Sequence, residues 1–229
     1  MIIKVCGMLD AANIREVSML GVDMIGLNFC PDNPRFVKMI SSRAGIIPDY
    51  SEERLHDLRQ QEATANVCNK PSRVGVFAND MPQNIVTRVY NYQLDYVQLD
   101  GEESPVMIKN LLKTLKPDIK SDIKIIKTIA IETEEDFAQS IPYEEFADIF
   151  LFVPKPSANK PFDWNILSAY SGSTPFLISD SIEPCDKKTI KSFYHPKFIG
   201  INLYSQFETE PGIKDIDKLR TFIEEIKSK

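Results

Sequence analysis

RVGVF at residues 73–77 and FIGINL at residues 198–203 are largely apolar runs of strand length. A strand with one face in water would alternate apolar and polar residues, whereas continuous apolar runs suit parallel strands that are buried on both faces. Other short apolar or β-branched runs recur along the chain at regular intervals. Together they predict strands at 2–6, 24–29, 73–77, 96–99, 123–131, 148–153, 175–179 and 198–203.

Most of the gaps between these strands can hold a helix. Residues 10–21 place Ile14, Val17 and Leu20 at helical spacing, and residues 82–92 and 214–227 show the same pattern. Strands that alternate with amphipathic helices indicate a parallel α/β sheet, and a count of eight favours a closed barrel over an open, doubly wound sheet. No GxGxxG motif follows the first strand, which argues against a dinucleotide-binding sheet. The sequence therefore predicts a (β/α)8 TIM barrel.

The length of 229 residues suits one barrel domain, and we predict a single domain over residues 1–229. One segment does not fit the alternation of strands and helices. Residues 51–71, SEERLHDLRQQEATANVCNKP, are polar and charged and lengthen the connection between the second and third strands. We expect a polar insertion outside the barrel, with a short exposed helix followed by a mobile loop.

Charge and composition narrow the possible partners. The chain has 27 Lys and Arg against 33 Asp and Glu, a net charge of −6, and no long basic run, so we do not expect it to bind nucleic acid. Its four cysteines lie far apart without a CxxC pair, which favours a reduced, cytoplasmic protein. No apolar segment approaches the roughly 20 residues of a membrane-spanning helix, so we expect no membrane contact.

The opening KVCGM at residues 4–8 places Cys6 at the C-terminal end of the first predicted strand, on the rim where TIM barrels carry their chemistry. This opening resembles that of phosphoribosylanthranilate isomerases, enzymes of tryptophan biosynthesis. The resemblance continues in the same order over nearly the whole chain. Its further blocks are GLNFCPDNPRFV (26–37), RVGVFAND (73–80), DYVQLDGEESP (95–105), FDW (162–164) and ETEPGIKD (208–215).

The resemblance implies an Amadori rearrangement of N-(5-phosphoribosyl)anthranilate to its 1-deoxyribulose phosphate isomer, without cofactor or metal. Such a reaction needs an acid at the ring oxygen, a base at C2 and donors for the phosphate. The cysteine of KVCG is the family's base, which implies that role for Cys6, whose thiol pKa must then be lowered. The family arginine matches Arg35, which would hold the anthranilate carboxylate or support the charge nearby. From the residues alone, Cys6 also suits a small buried side chain and Arg35 a solvated loop cation.

The chain departs from the family pattern after the sixth strand. Relatives carry their general acid, an aspartate, in a run like FLFD, whereas this chain reads FLFV with Val153 at that position. Valine cannot donate a proton, and a general acid is typically worth roughly 10² to 10⁴ in rate. The next loop, glycine-rich in relatives, is PKPSANKP at residues 154–161. We expect this proline-bearing loop to close over a substrate less readily.

The predicted phosphate site also differs. Asp180 and Ser181 replace the family's Gly-Gly after the seventh strand, so side chains stand where bare backbone would approach a phosphate, and the carboxylate repels a dianion. After the eighth strand, Asn202 stands for the usual aspartate, while Ser205 and Gln206 stand for the Ser-Gly pattern. We assign Asp180, Ser181 and Ser205 to a degenerate phosphate site.

Two further changes lie on the same rim. Asp100 follows VQL, where relatives often carry histidine, and we assign it to the substrate-binding set; Tyr204 adds bulk after the eighth strand. One hypothesis is a phosphoribosylanthranilate isomerase that uses Cys6 and another acid, such as Asp100 or Asp180. The alternative is a catalytically impaired paralogue that acts as a binding or interaction protein, or on a different ligand. Neither involves a cofactor or metal, and both allow a monomer or a homodimer.

Overall fold

The strands form one closed sheet around a central axis. A computed structural model describes residues 1–38, 70–155, 162–179, 182 and 186–228. Each strand pairs in parallel with the next, and the last pairs with the first, which confirms the predicted (β/α)8 barrel. The strands are β1 (Ile2–Cys6), β2 (Met24–Asn28), β3 (Ser72–Phe77), β4 (Tyr96–Leu99), β5 (Lys124–Ile131), β6 (Ile149–Pro154), β7 (Phe176–Ser179) and β8 (Phe198–Leu203).

Helices pack around the outside of the sheet. In the part of the chain that the structure describes, the helices are α1 (Ala11–Met19), α2 (Pro82–Tyr92), α3 (Pro105–Asp118), α4 (Lys187–Ser192) and α5 (Ile216–Lys227). The three segments with helical apolar spacing correspond to α1, α2 and α5. In α5, Leu219, Phe222, Ile223 and Ile226 are buried on one face, and the Asp215 carboxylate caps the first turn by accepting from the Lys218 N–H.

Within the described ranges, three connections contain 3-10 helices, at Glu134–Tyr143, Trp164–Ala169 and Ser205–Phe207. The first begins with a capping box between Thr133 and Asp136. The Asp136 carboxylate also accepts a hydrogen bond from the Lys155 ammonium, with 2.6 Å between Nζ and Oδ1. Burial alone would raise the pKa of Asp136, but these hydrogen bonds lower it to about 2. Because Lys155 directly follows β6, the ion pair ties the end of that strand to the preceding connection.

The inner face of the sheet encloses an apolar cluster made of Met24, Val74, Ile126, Ile149, Leu151 and Leu177. Side chains two positions apart on a strand point the same way, so residues that follow this cluster by two positions also face inward, nearer the C-terminal mouth. Val153 and Ser179 are inward residues for this reason. Lys4 pairs with Met24, which places Lys4 and Cys6 on the same face. Polar side chains therefore lie between this apolar cluster and the C-terminal mouth of the barrel.

Several features bear on the expectations from sequence. None of the helices in the described ranges is long and apolar enough to cross a membrane. Within those ranges, no three His, Cys, Asp or Glu side chains are grouped so that they could hold a metal ion. The predicted polar insertion at about 51–71 lies outside the described residues except for Lys70 and Pro71.

Candidate active site

Cys6 is the last residue of β1, and it is only 3% exposed. Gly26 pairs with it across the β1–β2 ladder, and a Cβ atom on that glycine would lie 2.5 Å from Cys6 Sγ. Position 26 therefore has no room for a side chain while the thiol keeps this place. The structure thus places the predicted base at the C-terminal end of β1. Its catalytic role remains a prediction.

Arg35 lies in the loop after β2 and forms a bidentate ion pair with Glu208. Its Nε lies 2.8 Å from Oε1 and 2.9 Å from Oε2 of that carboxylate, and Nη2 contacts Oε2 as well. The hydrogen bonds to Glu208 raise the pKa of Arg35, whose side chain is 13% exposed. A ligand carboxylate would thus meet a guanidinium with two of its three nitrogens already engaged, which leaves Nη1 for the predicted contact.

Glu208 also binds Lys214, its neighbour across a hairpin of β9 (Glu208–Glu210) and β10 (Ile213–Lys214). Lys214 Nζ lies 2.7 Å from Glu208 Oε1. Burial lowers the pKa of Lys214. Burial alone would raise the pKa of Glu208, but hydrogen bonds from Arg35 and Lys214 lower it. The sequence analysis assigned neither Glu208 nor Lys214 to the site. A sequence feature that points to them is the Pro-Gly turn at 211–212, which has a glutamate before it and a lysine after it.

Tyr204 follows β8, and its ring covers Gly7, the residue after Cys6. A Cβ atom on Gly7, whose φ is +79°, would lie 2.7 Å from the ring. The Arg35 guanidinium stacks 4.6 Å from the ring centroid, and Asn33 Nδ2 donates to the phenol oxygen at 3.0 Å. Burial raises the pKa of Tyr204, so the phenol stays protonated at neutral pH. The bulk noted in the sequence therefore lies beside the predicted base.

Val153 is near the end of β6, where the family resemblance expects the general acid. It pairs with Ala130 of β5 and packs against the apolar cluster inside the barrel. The position of the acid thus carries an aliphatic side chain that covers the top of the core. The predicted loop at 154–161 lies outside the described residues beyond Lys155.

Asp100 directly follows β4 and is exposed at the mouth. Its Oδ1 accepts from Gln98 Nε2 at 2.8 Å and from the Thr128 hydroxyl of β5. Because both partners are donors, the carboxylate serves as an acceptor in this arrangement. The other end of the Gln98 amide, Oε1, is buried without a hydrogen-bond partner in the described part of the chain.

Cys30 lies just beyond β2, close to the carboxylates of Asp100 and Glu103. Burial raises the pKa of its thiol to about 12, and the charges of Asp100 and Glu103 add to the shift. Its Sγ is 3.9 Å from the Val76 carbonyl oxygen. Cys30 therefore stays a neutral thiol near pH 7 and is unsuited to act as a second base.

Of the predicted phosphate site, only Ser205 lies within the described residues. It begins the 3-10 helix after β8, is exposed, and its Oγ lies 3.4 Å from Gln206 Oε1. Asp180 and Ser181 are outside the described residues, so the degenerate phosphate site remains a prediction.

A chain of inward polar side chains lies beneath the mouth; sequence reasoning noted Asn202 but missed its partners Lys4 and Ser179. Lys4 Nζ donates to Asn202 Oδ1 at 2.7 Å, and Asn202 Nδ2 donates to Ser179 Oγ at 2.6 Å. Lys4, Asn202 and Ser179 are 0%, 4% and 2% exposed. The register explains the contacts, because Lys4 of β1 and Ser179 of β7 both pair with Asn202 of β8.

The closed parallel sheet and a polar rim at the C-terminal ends of its strands define a (β/α)8-barrel protein with its candidate chemistry at the mouth. Residues 33–225 match the family model for N-(5'phosphoribosyl)anthranilate (PRA) isomerase. The chain belongs to this family, as the motifs in its sequence had indicated.

Comparison with known proteins supports this assignment over the whole chain. N-(5'-phosphoribosyl)anthranilate isomerase of Parabacteroides distasonis is 40% identical over 99% of this chain and 93% of its own length. The protein of the same name from Phocaeicola vulgatus is 35% identical, over 100% and 99%. Among solved structures, a phosphoribosyl anthranilate isomerase in complex with reduced 1-(o-carboxyphenylamino)-1-deoxyribulose 5-phosphate aligns with a TM-score of 0.73 at 24% identity, over 99% of both chains. The Thermotoga maritima isomerase aligns at 0.74, also at 24% identity and over 99% of both chains, so these structures show a shared fold.

Proposed function

We propose that this chain is a phosphoribosylanthranilate isomerase by family and architecture whose isomerisation step is greatly slowed. The observation that carries this proposal is Val153, which packs on the apolar cluster where the family resemblance expects a proton donor. Without a donor at that point, the ring oxygen of the substrate leaves as an unprotonated alkoxide, which is a poor leaving group. Ring opening is the step that loses its catalyst.

The remaining parts of the rim support binding and proton abstraction. Cys6, the last residue of β1, is the group that we propose takes the C2 proton. Arg35 keeps one guanidinium nitrogen, Nη1, outside its bidentate contact with Glu208, and that nitrogen suits a ligand carboxylate. A base at C2 does not replace an acid at the ring oxygen, because the two protons move at different atoms of the sugar.

A second deficit concerns the phosphate. We propose that Asp180 and Ser181 weaken its capture, because a carboxylate and a side chain replace the bare backbone of two glycines. This deficit should raise KM, whereas the change at Val153 should lower kcat.

The test is turnover of phosphoribosylanthranilate by the purified protein, followed by the loss of substrate fluorescence. We expect kcat to be roughly 10²- to 10⁴-fold lower than that of the relative from Parabacteroides distasonis assayed in parallel. V153D alone should raise kcat and leave KM high, and V153D with D180G and S181G should also lower KM. Growth of a tryptophan auxotroph on the unmodified gene at normal expression would overturn the proposal.

One observation favours a second candidate, an active isomerase that uses Asp100 as its acid. Asp100 lies at the mouth and contacts Thr128 on β5, the strand next to the one that carries Val153. If Asp100 supplies the proton, D100N should abolish turnover and remove one limb of the pH–rate profile. D217N, at an exposed position on α5, is the matched control and should change neither.

We further propose that the protein acts in the cytoplasm on a small molecule, without cofactor or metal, as a monomer or a homodimer. One structural relative is described as a monomeric form of the dimeric Thermotoga maritima isomerase, so both states exist among similar folds. Light scattering would decide the oligomeric state, and residual turnover that disappears with a chelator would contradict the metal-free reaction.

A further inference from the structure

The hydrogen bonds that link Lys4, Asn202 and Ser179 can run in only one direction. An ammonium group has donors and no acceptor, so Asn202 must present Oδ1 to Lys4. The amide nitrogen then faces Ser179 and donates to its Oγ. The Ser179 hydroxyl is therefore an acceptor in this contact, and its own proton points elsewhere. No acceptor for that proton is found among the residues that the structure describes.

Lys4 strengthens this arrangement because its charge is not balanced nearby. The side chain is fully buried, and no carboxylate of the described residues lies within ion-pair distance of its Nζ. A buried ammonium needs compensation, and the Asn202 carbonyl dipole is the contact that supplies it. Hydrogen bonds in a chain polarise one another. The ammonium withdraws electron density through the Asn202 amide, which makes the Ser179 O–H a stronger donor.

We propose that Lys4, Asn202 and Ser179 form a directional relay that presents the Ser179 hydroxyl to a negatively charged oxygen of a ligand bound in the mouth. Ser179 ends β7 and Cys6 ends β1, and only β8 lies between these two strands. A carboxylate or phosphate oxygen held by Ser179 would thus lie on the same side of the mouth as the thiol. The relay rests on the proposed function insofar as the ligand occupies the mouth of this barrel.

Gln98 gives an independent indication of what the ligand carries. Its Oε1 is buried without a partner in the described residues, although the side chain is only 2% exposed. In a closed ring of eight strands, β4 stands opposite β8, so this acceptor faces the relay across the axis. Buried acceptors in native proteins are nearly always satisfied. A free donor at Ser179 and a free acceptor at Gln98 suit an anion that also carries a hydroxyl group.

The experiment is isothermal titration of three probes into the full chain: reduced 1-(o-carboxyphenylamino)-1-deoxyribulose 5-phosphate, anthranilate and inorganic phosphate. The first carries a carboxylate, a phosphate and hydroxyl groups, and the other two separate the carboxylate from the phosphate. We expect the unmodified protein to bind the first probe and S179A to bind it roughly 10- to 100-fold more weakly, the range for a hydrogen bond to a charged group.

N202D tests the direction of the relay at the residue between Lys4 and Ser179. An aspartate accepts from both Lys4 and Ser179, so it turns the hydroxyl proton away from the mouth, and we expect a loss of affinity similar to that of S179A. The double variant S179A/N202D should bind within about twofold of S179A alone if N202D acts through the hydroxyl, whereas direct repulsion of an anionic probe by the new carboxylate would persist in the double variant. A purely structural role for Asn202 would instead give independent, additive losses.

S140A is the matched control. Ser140 is also 2% exposed, and its hydroxyl donates to the Phe137 carbonyl at 2.7 Å in a 3-10 helix outside the barrel, so S140A should lower the melting temperature and leave affinity unchanged. The relay is overturned if S179A and N202D, shown to be folded by thermal melts, both bind within twofold of the unmodified protein, or if the unmodified protein binds none of the probes. Turnover by the unmodified protein decides the proposed function separately.

Discussion

The two sides of the barrel mouth differ in what they hold. Around β8, β1 and β2, Arg35, Glu208, Lys214 and Tyr204 form one connected set of ion pairs, hydrogen bonds and ring contacts beside Cys6. At the end of β6, Val153 packs on the apolar core. The contacts on the first side join the connection after β2 to the connection after β8 whether or not the reaction proceeds, whereas an acid at the second side would serve turnover alone. A chain that loses the reaction can therefore keep the first side and change the second.

The largest expected effect follows from breaking the charged side. E208Q leaves Arg35 and Lys214 as two neighbouring, mostly buried cations without their carboxylate. We expect the free energy of unfolding in urea to fall by about 3 to 5 kcal/mol, the range for removing one partner of a buried ion pair. E210Q, at an exposed position on the same hairpin, should change it by less than about 0.5 kcal/mol. Equal effects of the two variants would show that the network contributes little stability.

A smaller effect is expected from placing a charge on the apolar side. V153D puts a carboxyl group against the apolar cluster, which should cost about 1 to 3 kcal/mol near pH 7. Burial raises the pKa of such a group above its unfolded value of about 3.9, so the deficit relative to the unmodified protein should shrink as the pH falls towards 4. V153T carries a polar group without charge, and its deficit should not depend on pH. A pH-independent deficit for V153D would mean that water reaches this position freely.

The β6 side has its own ion pair, Asp136 with Lys155, placed outside the barrel. The folded-state pKa of Asp136 is about 2, below the ordinary value of 3.8, so its contribution is fully present above pH 3.8 and is lost as the pH falls towards 2. D136N should therefore lower the unfolding free energy by about 1 to 2 kcal/mol at pH 7 and by much less near pH 2. E134Q, at an exposed position in the same turn, serves as the control. A D136N deficit that persists at pH 2 would contradict the low pKa.

The smallest expected effect concerns Cys30, which lies near the carboxylates of Asp100 and Glu103 in the loop after β4. With a pKa of about 12, its thiol should react very slowly with iodoacetamide at pH 8, as measured by peptide mass spectrometry. D100N removes one of the charges that raise this pKa and should increase the rate a few-fold. D118N, at an exposed position on α3, should not. Labelling of Cys30 at the rate of a free cysteine would show that the thiol is not buried.

The fold could be predicted from the sequence because its determinants are local. Eight apolar runs separated by amphipathic segments leave few arrangements that bury both faces of every strand, and the C-terminal ends of the strands then form the rim. The positions of Cys6 and Val153 at that rim follow from the same pattern. Their assignment to a base and to a missing acid came from the family resemblance, since a cysteine or a valine at the end of a strand has no chemistry that spacing alone reveals.

The sequence by itself determined the barrel, the family and the absence of a proton donor at Val153. Each of these conclusions rests on short stretches of sequence: apolar runs for the barrel, motifs for the family, and a single residue type at position 153. Only the tertiary structure decided that Glu208 already occupies Arg35 and that Asn202 joins Lys4 to Ser179. Arg35 and Glu208 are 173 residues apart in the chain, and Lys4 and Asn202 are 198 residues apart. No local sequence pattern joins either pair. Closure of the sheet brings β8 beside β1, and the register then fixes which side chains meet and in which direction their hydrogen bonds run.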